Sequence, residues 1–300
     1  MLTSSFPITI DGVRLDTLAF NISTISGRRG LPGVRTADVQ LPGVHGLIPS
    51  FEDTFEAAEV ILSMWVAGCD ENGFVPTSSR DLYDKNLDML LHLFGAKNRL
   101  LDVRMTMGDN TIRQAWGRVV AAVVPDVVGS NPVGKFAVAV QVPEVFWHDV
   151  DPTIFTEVAS IVSPRTMVLT TLEGSTAPIE DAVFVVKGPA VNPRLSSAET
   201  GGWVQLNRSL TALESWRVNS GKWFSEVGVV AMGFDGSAVT NEISKTTYSG
   251  SGARLLTVIP ARLRPDIIPS NTVRTVELIL GGTGFSAATS VLVQARKKFL

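Results

Sequence analysis

The sequence predicts a mainly β protein with two domains, the first of the α+β class and the second built almost wholly of strands. The chain has 300 residues, and domains usually contain roughly 100–200 residues each. Short apolar runs separated by turn residues dominate the whole length, and one segment alone has the periodicity of a long helix. We expect the first domain at 1–148, the second at 154–300, and a linker around 147–153.

The first domain is expected to begin with a hairpin. The dipeptide Asp11-Gly12 follows a short apolar run, and Asp-Gly is a strong signal for a tight turn between strands. Further on, a strand is predicted over residues 58–69, because every second residue is apolar and would lie on one face: Val60, Leu62, Met64 and Val66. Strands are also predicted at 100–107, 113–124 and 135–146.

One helix is predicted over 79–94. Its apolar residues recur at intervals of three and four and form one stripe: Tyr83, Leu87, Leu90, Leu91 and Phe94. Ser78 is the expected N-cap, with Asp81 three residues later in the arrangement of a capping box. Gly95 is expected to end the helix.

A long arm is predicted over residues 27–50, because glycines and prolines are interspersed there with Arg28, Arg29 and Arg35. One short strand is expected within it, near 36–41. Long loops are uncommon inside compact domains and usually have a function. We interpret this segment as an assembly arm, and a mobile surface loop is the alternative.

The second half contains apolar runs of strand length, spaced as in a β-sandwich or jelly roll. They lie at 154–158, 166–172, 182–187, 203–206, 215–218, 255–259, 272–280 and 290–296. The Ser/Thr/Gly-rich segment 233–253 is expected to be a long surface hairpin or loop. No helix is expected after residue 95.

Composition and charge exclude several classes of function. The net charge is −3, and residues 1–150 carry 17 acidic against 12 basic side chains. Such a half would repel a polyanion, so tight DNA binding is disfavoured. Cys69 is the single cysteine, which rules out an internal disulfide and favours a small buried side chain. Without a signal peptide or a membrane-length apolar run, we expect synthesis in the cytoplasm.

Motifs that carry chemistry are missing. The three histidines, His45, His92 and His148, have no metal-binding spacing. No G-x-S-x-G elbow or phosphate-binding loop occurs, so we predict no catalytic residue, no metal and no cofactor. The aromatic residues Trp203, Trp216 and Trp223 could stack on sugar rings or belong to the sandwich core.

The order of these features resembles the distal tail (Dit) proteins of phages with long non-contractile tails. In the first half the resemblance rests on Gly27-Arg28-Arg29-Gly30-Leu31-Pro32-Gly33, on Gly43-Val44-His45-Gly46, on 64–69 and on 142–147. In the second half it rests on 172–178, 185–190 and 295–300. The resemblance implies a tail-tube-like β-sandwich or barrel with one helix, followed by a galectin-like β-sandwich.

The same resemblance implies a structural subunit of the virion tail tip, and not an enzyme. Copies of the chain would form a hexameric ring that joins the tail tube protein to the baseplate or tail-fibre hub. DNA would cross the lumen without specific binding, and no membrane would be involved. We expect the assembly interface in the arm, at Arg28, Arg29, Leu31, Val34 and Arg35.

The alternative is a carbohydrate-binding module that contacts the host cell surface through Trp203, Trp216 and Trp223. The second half departs from sugar-binding galectins, because residues 149–300 contain no histidine. A cell-wall hydrolase is a more distant alternative, since its expected motifs are missing.

Overall fold

The computed structural model describes residues 7–27, 33–35, 54–95, 99–121, 126–127, 132–158, 163–199, 201–219, 224–229, 239–248 and 274–300. The chain forms two compact units, Met1–Val150 with Leu300, and Asp151–Phe299. Both are built mainly of strands, and the described residues contain one α-helix.

Eleven short and long strands make up the described part of the first unit. They are β1 Ile8–Ile10, β2 Val13–Arg14, β3 Phe20–Ser26, β4 Val34–Arg35, β5 Thr54–Phe55, β6 Ala58–Ala67, β7 Leu101–Thr106, β8 Ile112–Val119, β9 Asp126–Val127, β10 Val133–Val142 and β11 Trp147–Asp149. The helix α1, Ser79–Phe94, follows β6.

The principal sheet of this unit has the strand order β2-β1-β7-β8-β10-β6-β3, and all of its described pairings are antiparallel. Its two ends meet, because Asp16 bridges Asn21 and the Ile22 amide donates to the Leu15 carbonyl at 3.2 Å. The sheet therefore curls into a barrel. Asp11 and Gly12, with φ of 50° and 81°, form the predicted turn between β1 and β2.

The barrel interior follows the alternation read from the sequence. Val60, Leu62, Met64 and Val66 on β6 are all buried, as predicted, and Val60 and Leu62 lie beside the buried Val140 and Val138 of the neighbouring strand β10. On the opposite face of β6, Ile61 is 41% exposed. The outer face of β6 is therefore exposed to solvent at Ile61, and the side chains of Val60, Leu62, Met64 and Val66 are its contribution to the core.

Helix α1 has the predicted bounds, but its ends and its apolar stripe differ in detail. Ser78 makes no capping hydrogen bond through its side chain, and Gly95 has right-handed helical geometry. The buried face contains Tyr83, Leu90, Leu93 and Phe94, whereas the predicted Leu91 is exposed. The helix is therefore rotated toward Leu93 relative to the predicted stripe.

The helix is fixed to the end of β6 by polar contacts. The Asn86 amide donates from Nδ2 to the carbonyls of Ala67 and Cys69, at 2.8 and 3.0 Å. Cys69 is buried, and its Sγ lies 3.1 Å from the Leu18 carbonyl. Burial raises the pKa of this thiol, which agrees with a structural role.

The segment interpreted as a linker is partly ordered sheet. Trp147–Asp149 forms β11, which pairs with β8 through His148 opposite Gln114. His148 and Gln114 are both buried. This strand was not predicted because residues 147–153 are mostly polar. Its pairing partner also lies more than thirty residues earlier in the chain, beyond the range of local patterns.

Thirteen strands make up the described part of the second unit. They are β12 Thr153–Val158, β13 Arg165–Val168, β14 Val183–Lys187, β15 Ala190–Ser197, β16 Trp203–Leu206, β17 Ser209–Leu210, β18 Glu214–Asn219, β19 Phe224–Val229, β20 Val239–Asn241, β21 Thr246–Tyr248, β22 Glu277–Thr283, β23 Ser290–Ala295 and β24 Lys298–Phe299. Two single-turn 3₁₀ helices occur at Thr170–Leu172 and Ile243–Lys245.

Two antiparallel sheets form the second unit. The first has the order β12-β23-β14-β18-β19-β20, and the second has the order β13-β22-β15-β16-β21, with β17 added to β15. One apolar cluster contains residues of both sheets, among them Phe184 and Trp216 from the first and Leu195 and Leu278 from the second. The unit is therefore a β-sandwich, as predicted.

This unit differs from the sequence prediction in several features. Strands β15, β17 and β19 were missed, and the predicted strand at 166–172 ends in the 3₁₀ helix Thr170–Leu172. Part of the expected loop at 233–253 is ordered: residues 239–241 and 246–248 are strands that extend the two sheets. Glu242 between them is buried. The predicted strand at 255–259 lies outside the described residues.

Candidate functional site

The predicted arm is described only in part. Val34 and Arg35 form β4, which pairs with Thr54 and Phe55 of β5 in a separate two-stranded ribbon. The Glu56 amide donates to the Gly33 carbonyl at 2.6 Å and continues the pairing by one step. Arg28, Arg29 and Leu31, and the expected strand at 36–41, lie outside the described residues. The assembly role of all five residues stays a prediction.

The point where the chain leaves the barrel for this ribbon requires glycine. Gly27 has a φ of 73°, and a Cβ placed on it would lie 1.9 Å from the Glu59 carbonyl oxygen. No other residue fits both the left-handed backbone and the close approach to β6. Thus the first residue of the predicted arm, Gly27, is held tightly against β6.

The three candidate tryptophans do not come together on one surface. Trp216 on β18 is fully buried, and its Nε1 donates to Ser225 Oγ at 2.8 Å. It belongs to the sandwich core and offers no ring face to a sugar. The alternation of polar and apolar residues along β18 predicts this burial, because Trp216 and Val218 share the inward face of the strand. Trp223 lies outside the described residues.

Trp203 on β16 is half-buried on the outer face of the second sheet. The Arg194 guanidinium carbon lies 4.3 Å from the centre of its ring. Such stacking is a favourable cation–π contact. One side of the indole is thereby occupied by the protein itself, so a sugar cannot stack against that side.

A groove lies beside Arg194 on this outer face, with a volume of about 510 Å³. Such a volume is within the usual range for small-molecule sites, roughly 300–1,000 Å³. Strands β15, β16 and β22 and the residues before β13 line it. Its polar and glycine residues are Ser163, Asn192, Arg194, Ser196, Gln205, Gly281, Gly282 and Thr283.

Backbone geometry makes the groove. Arg194 pairs with Gln205 on one side and with Gly281 on the other, so the row across the sheet lacks a side chain at one position. The pairing of β15 with β22 shifts register between Val191 and Arg194. Within this irregularity, Asn192 has a φ of 50°. Such bulges redirect side chains locally.

Several polar groups of the groove keep hydrogen-bonding capacity. Among the described residues, Arg194 makes no ion pair and no side-chain hydrogen bond, and the Ser196 hydroxyl has no described partner. Gln205 donates one amide hydrogen to Asn207 at 2.9 Å, which leaves its carbonyl oxygen available. At the rim, the Ser163 hydroxyl donates to the Gly282 carbonyl at 2.7 Å. This site was not predicted, because its residues come from strands that are distant in the sequence.

A second polar cluster in the same unit is occupied by its own partners. Arg208 donates to Glu214 and to Glu242, and Lys245 lies 2.9 Å from Glu242. A hydrogen bond from Lys245, and a further one from Arg208, lower the pKa of Glu242. The Thr211 backbone amide and Arg208 lower the pKa of Glu214. This cluster joins segments of the sandwich and is structural.

The described part of the chain offers neither a metal-binding cluster nor a membrane-spanning helix. No group of three His, Cys, Asp or Glu side chains is placed to hold a metal ion there. The described helices include none that is long and apolar enough to cross a membrane.

Comparison with solved structures identifies the fold. The Dit (gp 19.1) protein of phage SPP1, described as a paradigm of the hub adsorption apparatus in phages that infect Gram-positive bacteria, superimposes with a TM-score of 0.59. The match covers 98% of this chain and 99% of the SPP1 protein, at 14% sequence identity. This chain has the Dit fold. The fold predicted from the sequence resemblance is confirmed.

Two structures of the phage P2 baseplate in its activated conformation, with Ca and with Sr, also match the chain. Each match covers 98% of this chain and 99% of the baseplate chain at 7% identity, with TM-scores of 0.41 and 0.40. No protein-family model and no curated protein matches the sequence.

Proposed function

We propose that this chain is a structural subunit of a phage tail tip, where copies of it form a hexameric ring between the tail tube protein and the baseplate or tail-fibre hub. The observation that carries the proposal is the Dit fold, which spans 98% of the chain. In this role the chain is not an enzyme, and its location is the tip of the virion tail.

The β4–β5 ribbon supports self-assembly. A two-stranded ribbon alone is marginally stable in water, and among the described residues these two strands pair only with each other. A neighbouring subunit that covers the ribbon would supply the missing contacts and close its strand edges. If each copy places its ribbon against the next, the contact is head-to-tail, and such contacts close into rings.

The charge of the first half suits a channel that DNA crosses without being held. Residues 1–150 carry 17 acidic and 12 basic side chains. A net negative surface repels the phosphate backbone and opposes non-specific binding. We infer that the partners of the chain are its own copies and the adjoining tail proteins, with DNA only in passage.

Replacing residues 28–35 with a Gly/Ser linker of equal length is expected to leave the barrel folded and to abolish the ring. The reason is that the linker removes the cationic and apolar side chains of the arm. Native mass spectrometry of the purified chain measures the outcome, and circular dichroism verifies the fold.

The matched control for this variant removes an equal number of positive charges elsewhere. Arg14, Arg80 and Lys85 are exposed in the same unit, and their triple change to Gln should leave the ring intact. An unchanged hexamer in the linker variant would refute the assignment of the arm.

A second candidate function is carbohydrate binding by the second unit at the host surface. The groove beside Arg194 favours it, because several uncommitted polar groups converge there next to an indole. This role is compatible with the first, since a subunit of a tail tip can hold a ring and contact a cell surface.

A further inference from the structure

We propose that the groove on the outer face of the second sheet binds a saccharide that carries an anionic group, a carboxylate or a phosphate, and that Arg194 binds this anion. The inference deepens the second candidate function and depends on it. It is independent of ring formation.

The charge of Arg194 is not compensated by the residues around it. Every other groove residue is neutral, and Arg194 has no ion pair among the described residues. Arginine presents a planar fork of donors that matches the two oxygens of a carboxylate or phosphate. The groove therefore has one guanidinium without a counter-charge and no acidic residue, which favours the binding of an anion.

Trp203 serves to hold this guanidinium in place. The ring centre is 4.3 Å from the Arg194 guanidinium carbon, and Trp203 is itself fixed on β16 opposite Ser196 of β15. A stacked arginine loses less conformational freedom when it binds an anion, because its side chain is already ordered. Trp203 is thus a positioning residue, and Arg194 is the contact.

The remaining polar groups suit sugar hydroxyls. Asn192, Ser196 and Gln205 surround Arg194 with amide and hydroxyl groups that can both donate and accept hydrogen bonds. A simple inorganic anion would engage Arg194 and leave these groups to water. A sugar ring with an acidic substituent engages both kinds of group at once.

The missing side chain at position 281 provides the space and also a test. A Cβ placed on Gly281 would meet only the Cβ and the carbonyl oxygen of Arg194, at 3.7 and 3.8 Å, which are ordinary contact distances. Gly281 lies within strand β22, where a β-branched residue is favourable. Gly281→Val should therefore fold normally and fill the groove.

Isothermal titration of the full-length chain tests the proposal with three probes: tri-galacturonic acid, the neutral galactose trisaccharide, and glucose 6-phosphate. We expect binding of at least one acidic probe, no binding of the neutral one, and weaker binding at higher salt. The two acidic probes distinguish a carboxylate from a phosphate as the preferred group.

Arg194→Gln should weaken binding of the acidic probe roughly tenfold or more, because a charge-assisted hydrogen bond is lost. Lys187→Gln removes the same charge from an exposed position on the other sheet and should bind as the parent does. Gly281→Val should abolish binding while its circular dichroism spectrum remains that of the parent.

Three results would overturn the proposal: equal affinity for neutral and acidic probes, no binding of either acidic probe, or undiminished binding by a folded Gly281→Val protein. Native mass spectrometry of the same samples separates the two proposals. A ring that binds no acidic sugar removes only this inference, and an acidic-sugar-binding monomer removes only the ring.

Discussion

Trp216→Ala is expected to destabilise the second unit by about 3–5 kcal/mol, the usual cost of truncating a large buried aromatic side chain. Trp216 is fully buried in the cluster between the two sheets. Its indole also donates to Ser225, whose hydroxyl lies 2.6 Å from that of Thr246. The substitution therefore opens a cavity and breaks a chain of hydrogen bonds.

Urea denaturation followed by far-UV circular dichroism measures this loss. Leu213→Ala is the control, because Leu213 is 66% exposed in the same unit and should cost less than about 0.5 kcal/mol. Trp216→Phe should be intermediate, since it keeps most of the ring and loses the hydrogen bond. A Trp216→Ala protein as stable as its parent would show that the core is not packed around this residue.

Arg208→Met is expected to destabilise the same unit by roughly 2–4 kcal/mol at neutral pH. Removing one member of a buried ionic cluster leaves carboxylates without a counter-charge, which commonly costs roughly 3–5 kcal/mol when fully buried. The Arg208 side chain is 26% exposed, which reduces the cost through solvent screening, whereas that of Glu242 is only 3% exposed. Glu242 would keep Lys245 as its remaining cation.

The same variant should change how stability depends on pH. The pKa values of Glu242 and Glu214 are lowered in the folded protein. Their stabilising contribution is therefore complete above the unfolded value, about 4.3, and is lost as the pH falls through the lower folded values. In Arg208→Met the folded values rise toward the unfolded one, so this acid-induced loss should shrink.

Urea midpoints between pH 3 and pH 7 measure both effects. Arg118→Met is a suitable control, since Arg118 is exposed and bonds the neutral Gln141. An Arg208→Met protein with the parent's pH dependence would show that the carboxylates of the cluster do not depend on Arg208.

Local sequence patterns were sufficient for much of the fold. The bounds of α1 followed from the apolar spacing and the flanking Ser78 and Gly95. Gly95 ends the helix as predicted, although without left-handed geometry, and Ser78 makes no side-chain capping bond. The buried face of β6 followed from the period-two spacing of Val60, Leu62, Met64 and Val66. These features depend on neighbours within a few residues, which is the range that periodicity reports.

Features that depend on distant pairing were missed. Strand β15 contains Pro193, and proline usually argues against a strand interior. Here Pro193 lies at the irregularity in register, where no regular pairing is interrupted. Segment 239–248 reads as a polar loop, yet β20 and β21 extend the sheets because β19 and β16 offer open edges.

The candidate groove could not be predicted for the same reason. It depends on Gly281 lying opposite Arg194, and these residues are far apart in sequence. Trp203 was recognised as an aromatic candidate, but its stacking with Arg194 is visible only in the folded sheet. By contrast, the burial of Trp216 could be read from the alternation of β18.

Native mass spectrometry of the purified full-length chain tests the ring most directly. We expect a particle of about 193 kDa, six times the 32.2 kDa chain, that persists on dilution into the low micromolar range. A monomer at every concentration, with no ring seen by negative-stain microscopy, would contradict the proposed assembly.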